Sequence, residues 1–177
     1  AICDRIARML GHTMDVRSRP GHGSSFTVTV PLASEDSIKK QKAPDAAQGD
    51  HPVLEGLRVL CVDNEPDILE GMKLLLDRWG CEVLLAKNQE KALSQVRDHG
   101  EPDMVLVDHH LAHGVYGLDV MRTLDEHVGR RLPAIVITAD RSPELEDEVR
   151  QHGYGLLRKP IKPAALRALM TNTLKNL

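Results

Sequence analysis

A chain of 177 residues holds one ordinary domain, or one domain with an appendage, and is too short for a large multidomain enzyme. Hydrophobic residues make up 41% and charged residues 28%, the mix of a soluble globular protein, while aromatics are only 2% (Phe26, Trp79, Tyr116 and Tyr154), so the core must be aliphatic. A net charge of -3 argues against a phosphate-backbone binder and so few aromatics leave no stacking platform, which excludes nucleic acid as an expected partner. At the start of the chain Ile2, Ile6, Met9 and Leu10 fit one face of a short helix that Gly11 stops. Strand-like runs Met14 to Arg17 and Ser25 to Val30 then flank Pro20-Gly21-His22-Gly23, giving a helix and a hairpin too small for a core of their own.

From Ser34 to about Gly56 the sequence carries charges of both signs, prolines and almost no large apolar side chain before Val53, which predicts a flexible linker. Beyond Leu57, short runs rich in Val, Ile and Leu alternate with amphipathic windows. The runs are Arg58 to Val62, Glu82 to Ala86, Met104 to Val107, Ala134 to Thr138 and Tyr154 to Leu157. The windows are Pro66 to Trp79, Gln89 to His99, Leu118 to His127, Pro143 to His152 and Pro163 to Leu174. Near-continuous apolar runs are strands covered on both faces. Five strand-then-helix repeats joined by right-handed crossovers predict an α/β fold with a doubly wound five-stranded parallel sheet.

Cys3, Cys61 and Cys81 are an odd count without metal-site spacing, so all three are expected to be reduced, buried thiols of a cytosolic chain. No apolar stretch approaches the roughly 18 residues of a membrane helix, and the N-terminal sequence lacks the order of a signal peptide. No direct membrane contact is expected, and a cytoplasmic location is, whether or not a longer parent is membrane-anchored.

In a doubly wound sheet the functional site lies at the carboxyl ends of the strands. Those ends carry Asp63-Asn64-Glu65, Asp108, Thr138 and Lys159-Pro160. Carboxylates there offer hard oxygen ligands to a divalent ion, Mg²⁺ in particular, while a lysine and a threonine hydroxyl can neutralise and hydrogen-bond a phosphoryl group. Any one of these residues alone is better read as a turn cap or a solvated side chain. Four strand ends together point to phosphoryl transfer onto Asp108. His109, His110 and His113 lack a cysteine nearby and are expected to be solvated loop histidines rather than a zinc site.

VLCVDNEPDILEGM, MVLVDHHLAHGVYGLDVM, AIVITAD and LLRKPIKP, in that order and spacing, resemble the motifs of a response-regulator receiver domain over Leu57 to Leu177. The resemblance implies a flavodoxin-like sheet of order 2-1-3-4-5. It also implies Asp108 as phosphoacceptor, Asp63 and Asn64 as the metal-binding pair, Thr138 as switch hydroxyl, Lys159 as the partner lysine and the backbone carbonyl of His110 as the remaining Mg²⁺ ligand. The implied partners are a phosphohistidine of the chain's own or a partner kinase and a histidine phosphotransfer protein. Three positions depart from the family. Asn64 replaces an aspartate, which lowers the charge of the metal site; Glu65 is a candidate substitute. Leu156 fills the aromatic switch position, so threonine-aromatic coupling is missing or has moved to Tyr154. His110 stands where a side chain faces the phosphoryl group. The run ending Asp108-His109-His110 also resembles the signature of DHH-type phosphoesterases, but the further motifs such an enzyme needs do not follow.

Residues 1–33 resemble the C-terminal end of the ATP-binding domain of a bacterial sensor histidine kinase, in which Gly21-His22-Gly23 is a hairpin turn and not a phosphate loop. The expectation is a C-terminal part of a hybrid sensor kinase, with a kinase-domain remnant over 1–33, a linker over 34–56 and a receiver over 57–177. This fragment is not expected to bind ATP or autophosphorylate. The alternative is a degenerate receiver that docks on its kinase without being phosphorylated.

Overall fold

Each strand of the larger unit alternates its side chains between two apolar layers, and this period of two sets the architecture. A computed structural model describes residues 2–32 and 54–175, which form two units considered separately. The first contains α1 (Ile2–Met9) and the antiparallel hairpin of β1 (Thr13–Arg19) and β2 (Gly23–Thr29), paired from Thr13 opposite Thr29 to Arg19 opposite Gly23. Gly21 and Gly23 at the turn both take positive φ, which glycine adopts without steric cost. Ala7 is buried, whereas Ile6, Met9, Leu10, Val16, Phe26 and Val28 are exposed.

The second unit runs β3 (Arg58–Val62), α2 (Pro66–Asp77), β4 (Glu82–Ala86), α3 (Gln89–His99), β5 (Met104–Asp108), a 3₁₀ turn (Ala112–Gly114), α4 (Gly117–Val128), β6 (Ala134–Thr138), α5 (Pro143–Gln151), β7 (Gly155–Arg158) and α6 (Pro163–Lys175). All four pairings are parallel, in the order β4-β3-β5-β6-β7, which is the expected 2-1-3-4-5 sheet. Leu60, Val62, Val105, Val107, Ala134 and Val136 face α3, α4 and α5. Their neighbours Val59, Cys61, Met104, Leu106, Ile135 and Ile137 face α2 and α6. With both faces covered, every residue of β5 and β6 is buried, which is why these strands read as unbroken apolar runs.

Three expectations change at this level. Leu54 is 1% exposed and its carbonyl accepts the Cys81 thiol, while the Gly56 N–H donates to Gly80 O. Residues 54–56 therefore belong to the sheet unit rather than to a linker, because one leucine reaching the α2-side core is enough to anchor them; the remainder of the expected linker lies outside the described residues. Cys61 and Cys81 are buried as expected, but Cys3 is exposed on α1, whose small unit cannot cover it. The last strand is Gly155–Arg158, one residue later than the apolar run, because the Lys159 N–H donates to Thr138 O and carries the pairing on to Arg158.

The glycine that opens α4 is set by packing. A Cβ at Gly117 would lie 2.5 Å from the backbone oxygen of Asp108, and the Gly117 N–H donates to His109 O at 2.8 Å. Gly117→Ala, which helix propensity alone would favour, is expected to destabilise the fold by about 1–3 kcal/mol in urea unfolding, because the methyl must displace the end of the central strand. Burial also raises the Cys61 and Cys81 thiol pKa values, so a thiol reagent is expected to label Cys3 alone in native protein and all three cysteines in denaturant.

Candidate functional site

The carboxyl ends of β3, β5, β6 and β7 converge because parallel strands present the same end to the same edge. Asp63 follows β3, Asp108 ends β5, Thr138 ends β6 and Lys159 follows β7. Asp63 is 6% exposed, Asp108 8% and Thr138 1%. The Lys159 ammonium reaches between the two acids, 2.9 Å from Asp108 Oδ1 and 3.6 Å from Asp63 Oδ2. Asp63, Asp108 and Lys159 thus form one ionic cluster, as the sequence predicted.

Two carboxylates share a single ammonium. Burial pushes the Asp63 carboxyl above its ordinary pKa; the Glu65 N–H, donating to Asp63 Oδ1 at 2.9 Å, opposes this, and the Asp108 charge adds to it. For Lys159, burial favours the neutral amine, but the hydrogen bond and charge of Asp108, then those of Asp63, outweigh it and hold the pKa above the ordinary lysine value. Lys159 therefore stays charged at neutral pH.

Thr138 occupies the same edge with its hydroxyl oxygen accepting the Asp140 N–H at 3.0 Å. Asp140 in turn accepts the Ser142 N–H at 2.8 Å, and bonds from Ser142 hold its carboxyl below the usual range. Asn64 is half-buried beside Asp63. Glu65, the candidate substitute, contributes its backbone N–H to Asp63, while its side chain is exposed at the start of α2. The His110 carbonyl receives no hydrogen bond from a described backbone N–H.

The histidines correct an expectation. His110 is exposed, but His109 is 8% exposed, with Nδ1 buried and unpartnered and with burial lowering its pKa. Its N–H donates to Ile137 O, so it continues the β5 ladder inward instead of entering solvent. Its ring lies 4.4 Å from that of His110 and 5.3 Å from that of Tyr116. Tyr154 does not replace the aromatic at position 156. It precedes β7, at the opposite end of that strand from Lys159, and its hydroxyl donates to Asp125 Oδ2 on α4 at 2.7 Å. Leu156 is partly buried and packs against the layer under α3–α5.

Sequence reasoning missed Arg158. Paired in register with Thr138, it donates from Nη1 to Asp140 O at 2.6 Å and from Nη2 to Glu146 Oε2 at 2.8 Å. A charged residue between an apolar run and Lys159-Pro160 was the available signal, but its targets lie 12 and 18 residues away and only the fold brings them to it.

Because Asp63 has a raised pKa, its protonated form favours the folded state. That contribution is fully present below the unfolded-state pKa and is lost as pH rises through the folded value, so at neutral pH the Asp63 charge costs stability. Asp63→Asn is expected to stabilise metal-free protein by on the order of 1 kcal/mol at pH 7 in thermal or urea unfolding, with the gain vanishing toward acid pH.

Comparison with known proteins agrees with this geometry. Residues 59–171 match the family model described as the response regulator receiver domain. The autoinducer 2 sensor kinase/phosphatase LuxQ of Vibrio parahaemolyticus is 29% identical over 93% of this chain and 19% of its own length. The sensor histidine kinase AruS of Pseudomonas aeruginosa is 32% identical over 94% of this chain and 16% of its own. The chain thus spans less than a fifth of the length of either relative. Among solved structures, the chemotaxis protein CheY4 of Vibrio cholerae superposes with a TM-score of 0.61 at 24% identity, covering 67% of this chain and 99% of that one, a likeness of fold. With the family model covering most of the chain and the four strand ends holding the residues its motifs led us to expect, the protein belongs to the response regulator receiver domains of two-component phosphorelay signalling.

Proposed function

We propose that this receiver accepts a phosphoryl group on Asp108 from a phosphohistidine, with Mg²⁺, and passes it to a histidine phosphotransfer protein or loses it to water. The observation that carries the reading is the 2.9 Å contact of Lys159 Nζ with Asp108 Oδ1, within a buried cluster holding one more carboxylate than ammonium. Lys159 occupies Oδ1 and orients the carboxylate, leaving Oδ2 as the nucleophile. In the transfer the phosphorus–nitrogen bond of the donor imidazole breaks, a phosphorus–oxygen bond to Asp108 forms, and the imidazole nitrogen regains a proton from solvent. Lys159 and the Thr138 hydroxyl then neutralise and hydrogen-bond the phosphoryl oxygens.

The residues fit Mg²⁺, which prefers one or two carboxylates with waters and a phosphate. Asp63, Asp108, the Asn64 side-chain oxygen and the His110 carbonyl would hold it, and the surplus carboxylate charge and that carbonyl's lack of a described backbone donor both favour a cation there. Bound there, Mg²⁺ would supply charge neutralisation at the phosphoryl oxygens. No group of three acidic, His or Cys side chains poised for a metal occurs among the described residues, as expected where one ligand is an amide and another a backbone carbonyl.

The parent of this domain is, on this reading, a hybrid sensor histidine kinase acting at its cytoplasmic side. Matches to sensor kinases over 93–94% of the chain run well beyond residues 59–171, which requires them to include most of the helix–hairpin unit. That supports assigning residues 1–33 to the end of a kinase ATP-binding domain, followed by a linker up to residue 53 and the receiver beyond. No described helix is long and apolar enough to cross a membrane.

One observation, Asn64, favours a second reading in which the domain docks on its kinase without turnover. Incubation with acetyl phosphate and Mg²⁺ distinguishes the two. Intact-protein mass spectrometry is expected to detect one added phosphoryl group, absent in Asp108→Asn, while Asn64→Asp raises the apparent Mg²⁺ affinity several-fold. Labelling confined to Asn64→Asp would establish the docking reading instead.

A further inference from the structure

Arg158 is the last residue of β7, just before Lys159, and reaches the loop that follows Thr138. Its guanidinium makes two contacts at once. Nη1 donates to the Asp140 carbonyl, three residues before α5, and Nη2 to Glu146 within α5. Glu146 is held from its other oxygen by Arg150, at 3.1 Å, so the acceptor is itself oriented. Asp140 is thereby fixed from every polar group it has. Its N–H donates to Thr138 Oγ1, its carbonyl accepts Arg158, and its carboxylate accepts the Ser142 N–H.

This arrangement constrains Thr138 as well. A threonine hydroxyl rotates freely unless its oxygen is engaged. Here the oxygen accepts the Asp140 N–H, so the hydroxyl proton is left as its donor to a neighbour on the strand edge where Asp108 lies. The accepted bond holds only while Asp140 stays in place, and Arg158 is the sole side chain among the described hydrogen bonds that ties Asp140 to another strand. Arginine suits this position because its planar fork satisfies a carbonyl and a carboxylate together, which an ammonium on a single stem does not.

We infer that Arg158 is a positioning residue for phosphoryl transfer: by clamping Asp140 to α5 it aims the Thr138 hydroxyl for the phosphoryl group on Asp108. The role rests on the reading of Asp108 as phosphoacceptor. It also ties two consecutive residues at the end of β7 to two parts of the same event, with Lys159 on the carboxylate and Arg158 acting through Asp140 on the hydroxyl.

A double-mutant cycle on the whole chain tests this, read as initial rates of labelling by acetyl phosphate at saturating Mg²⁺. Arg158→Ala is expected to slow labelling about three- to tenfold, the scale of losing one well-placed hydrogen bond. Thr138→Ala is expected to slow it at least as much, and the double variant no further than Thr138→Ala alone. Arg158→Lys, which keeps the charge and one contact, is expected to fall between Arg158→Ala and wild type. Glu146→Gln, which weakens the clamp by removing the charge of Arg158's partner while keeping the arginine, is expected to give a smaller loss in the same direction. Amide exchange at Asp140 and Ser142 is expected to speed up in Arg158→Ala, while the unfolding midpoint moves little because the arginine is partly exposed. Losses that multiply in the double variant, or an Arg158→Ala protein that labels at the wild-type rate, would overturn the inference while leaving Asp108 as phosphoacceptor. A wild-type protein that does not label at all would overturn both.

Discussion

One ammonium between two buried carboxylates is the constraint around which the rest of this domain is arranged. Lys159 contacts Asp108 at 2.9 Å and Asp63 at 3.6 Å, in a place where unpaired charge is costly. The three groups come from three strands, so the cluster exists only when β3, β5 and β7 are aligned at their carboxyl ends. Its charge does not balance. A site left with surplus negative charge is poorly stabilised by itself, and on the proposed reading that surplus favours a cation, which is the trade between stability and function seen at many active sites.

The surroundings serve that cluster with ordinary packing. Two aliphatic layers, one under α3, α4 and α5 and the other under α2 and α6, hold the strands rigid up to their last residues. Aliphatic side chains sufficed because a parallel sheet needs uniform filling on both faces more than it needs aromatic anchors. Where backbone must come close, glycine appears: Gly117 lets α4 start against the Asp108 carbonyl, so the loop after the central strand returns to the end of that strand.

The departures from the receiver motifs acquire local explanations. Leu156 packs, partly buried, against the aliphatic core, and Tyr154, held by Asp125 and kept protonated by burial and that carboxylate, ties α4 to the base of β7 instead of reporting on Thr138. The polar link between Thr138 and the neighbouring helix runs through Asp140, Arg158 and Glu146. A hydrogen-bonded link of this kind couples through direction and charge, where an aromatic side chain would couple through volume.

The fold and most of the site were legible in the chain by itself. Apolar runs of four or five residues separated by amphipathic windows admit little other than a doubly wound sheet, and strand-end acids, threonine and lysine stand at positions that the sheet must bring together. Asp63, Asp108 and Lys159 could therefore be named from their places in sequence. What the chain alone did not determine were the directions and depths of side chains. His109 looked like a loop residue and is buried, Cys3 looked buried and is exposed, Leu54 looked like linker and is core, and Arg158 gave no sign of its partners. Periodicity encodes which face a residue lies on, because backbone geometry repeats locally. Which atoms it then meets depends on elements a dozen or more residues away, and only the packed tertiary structure decides that.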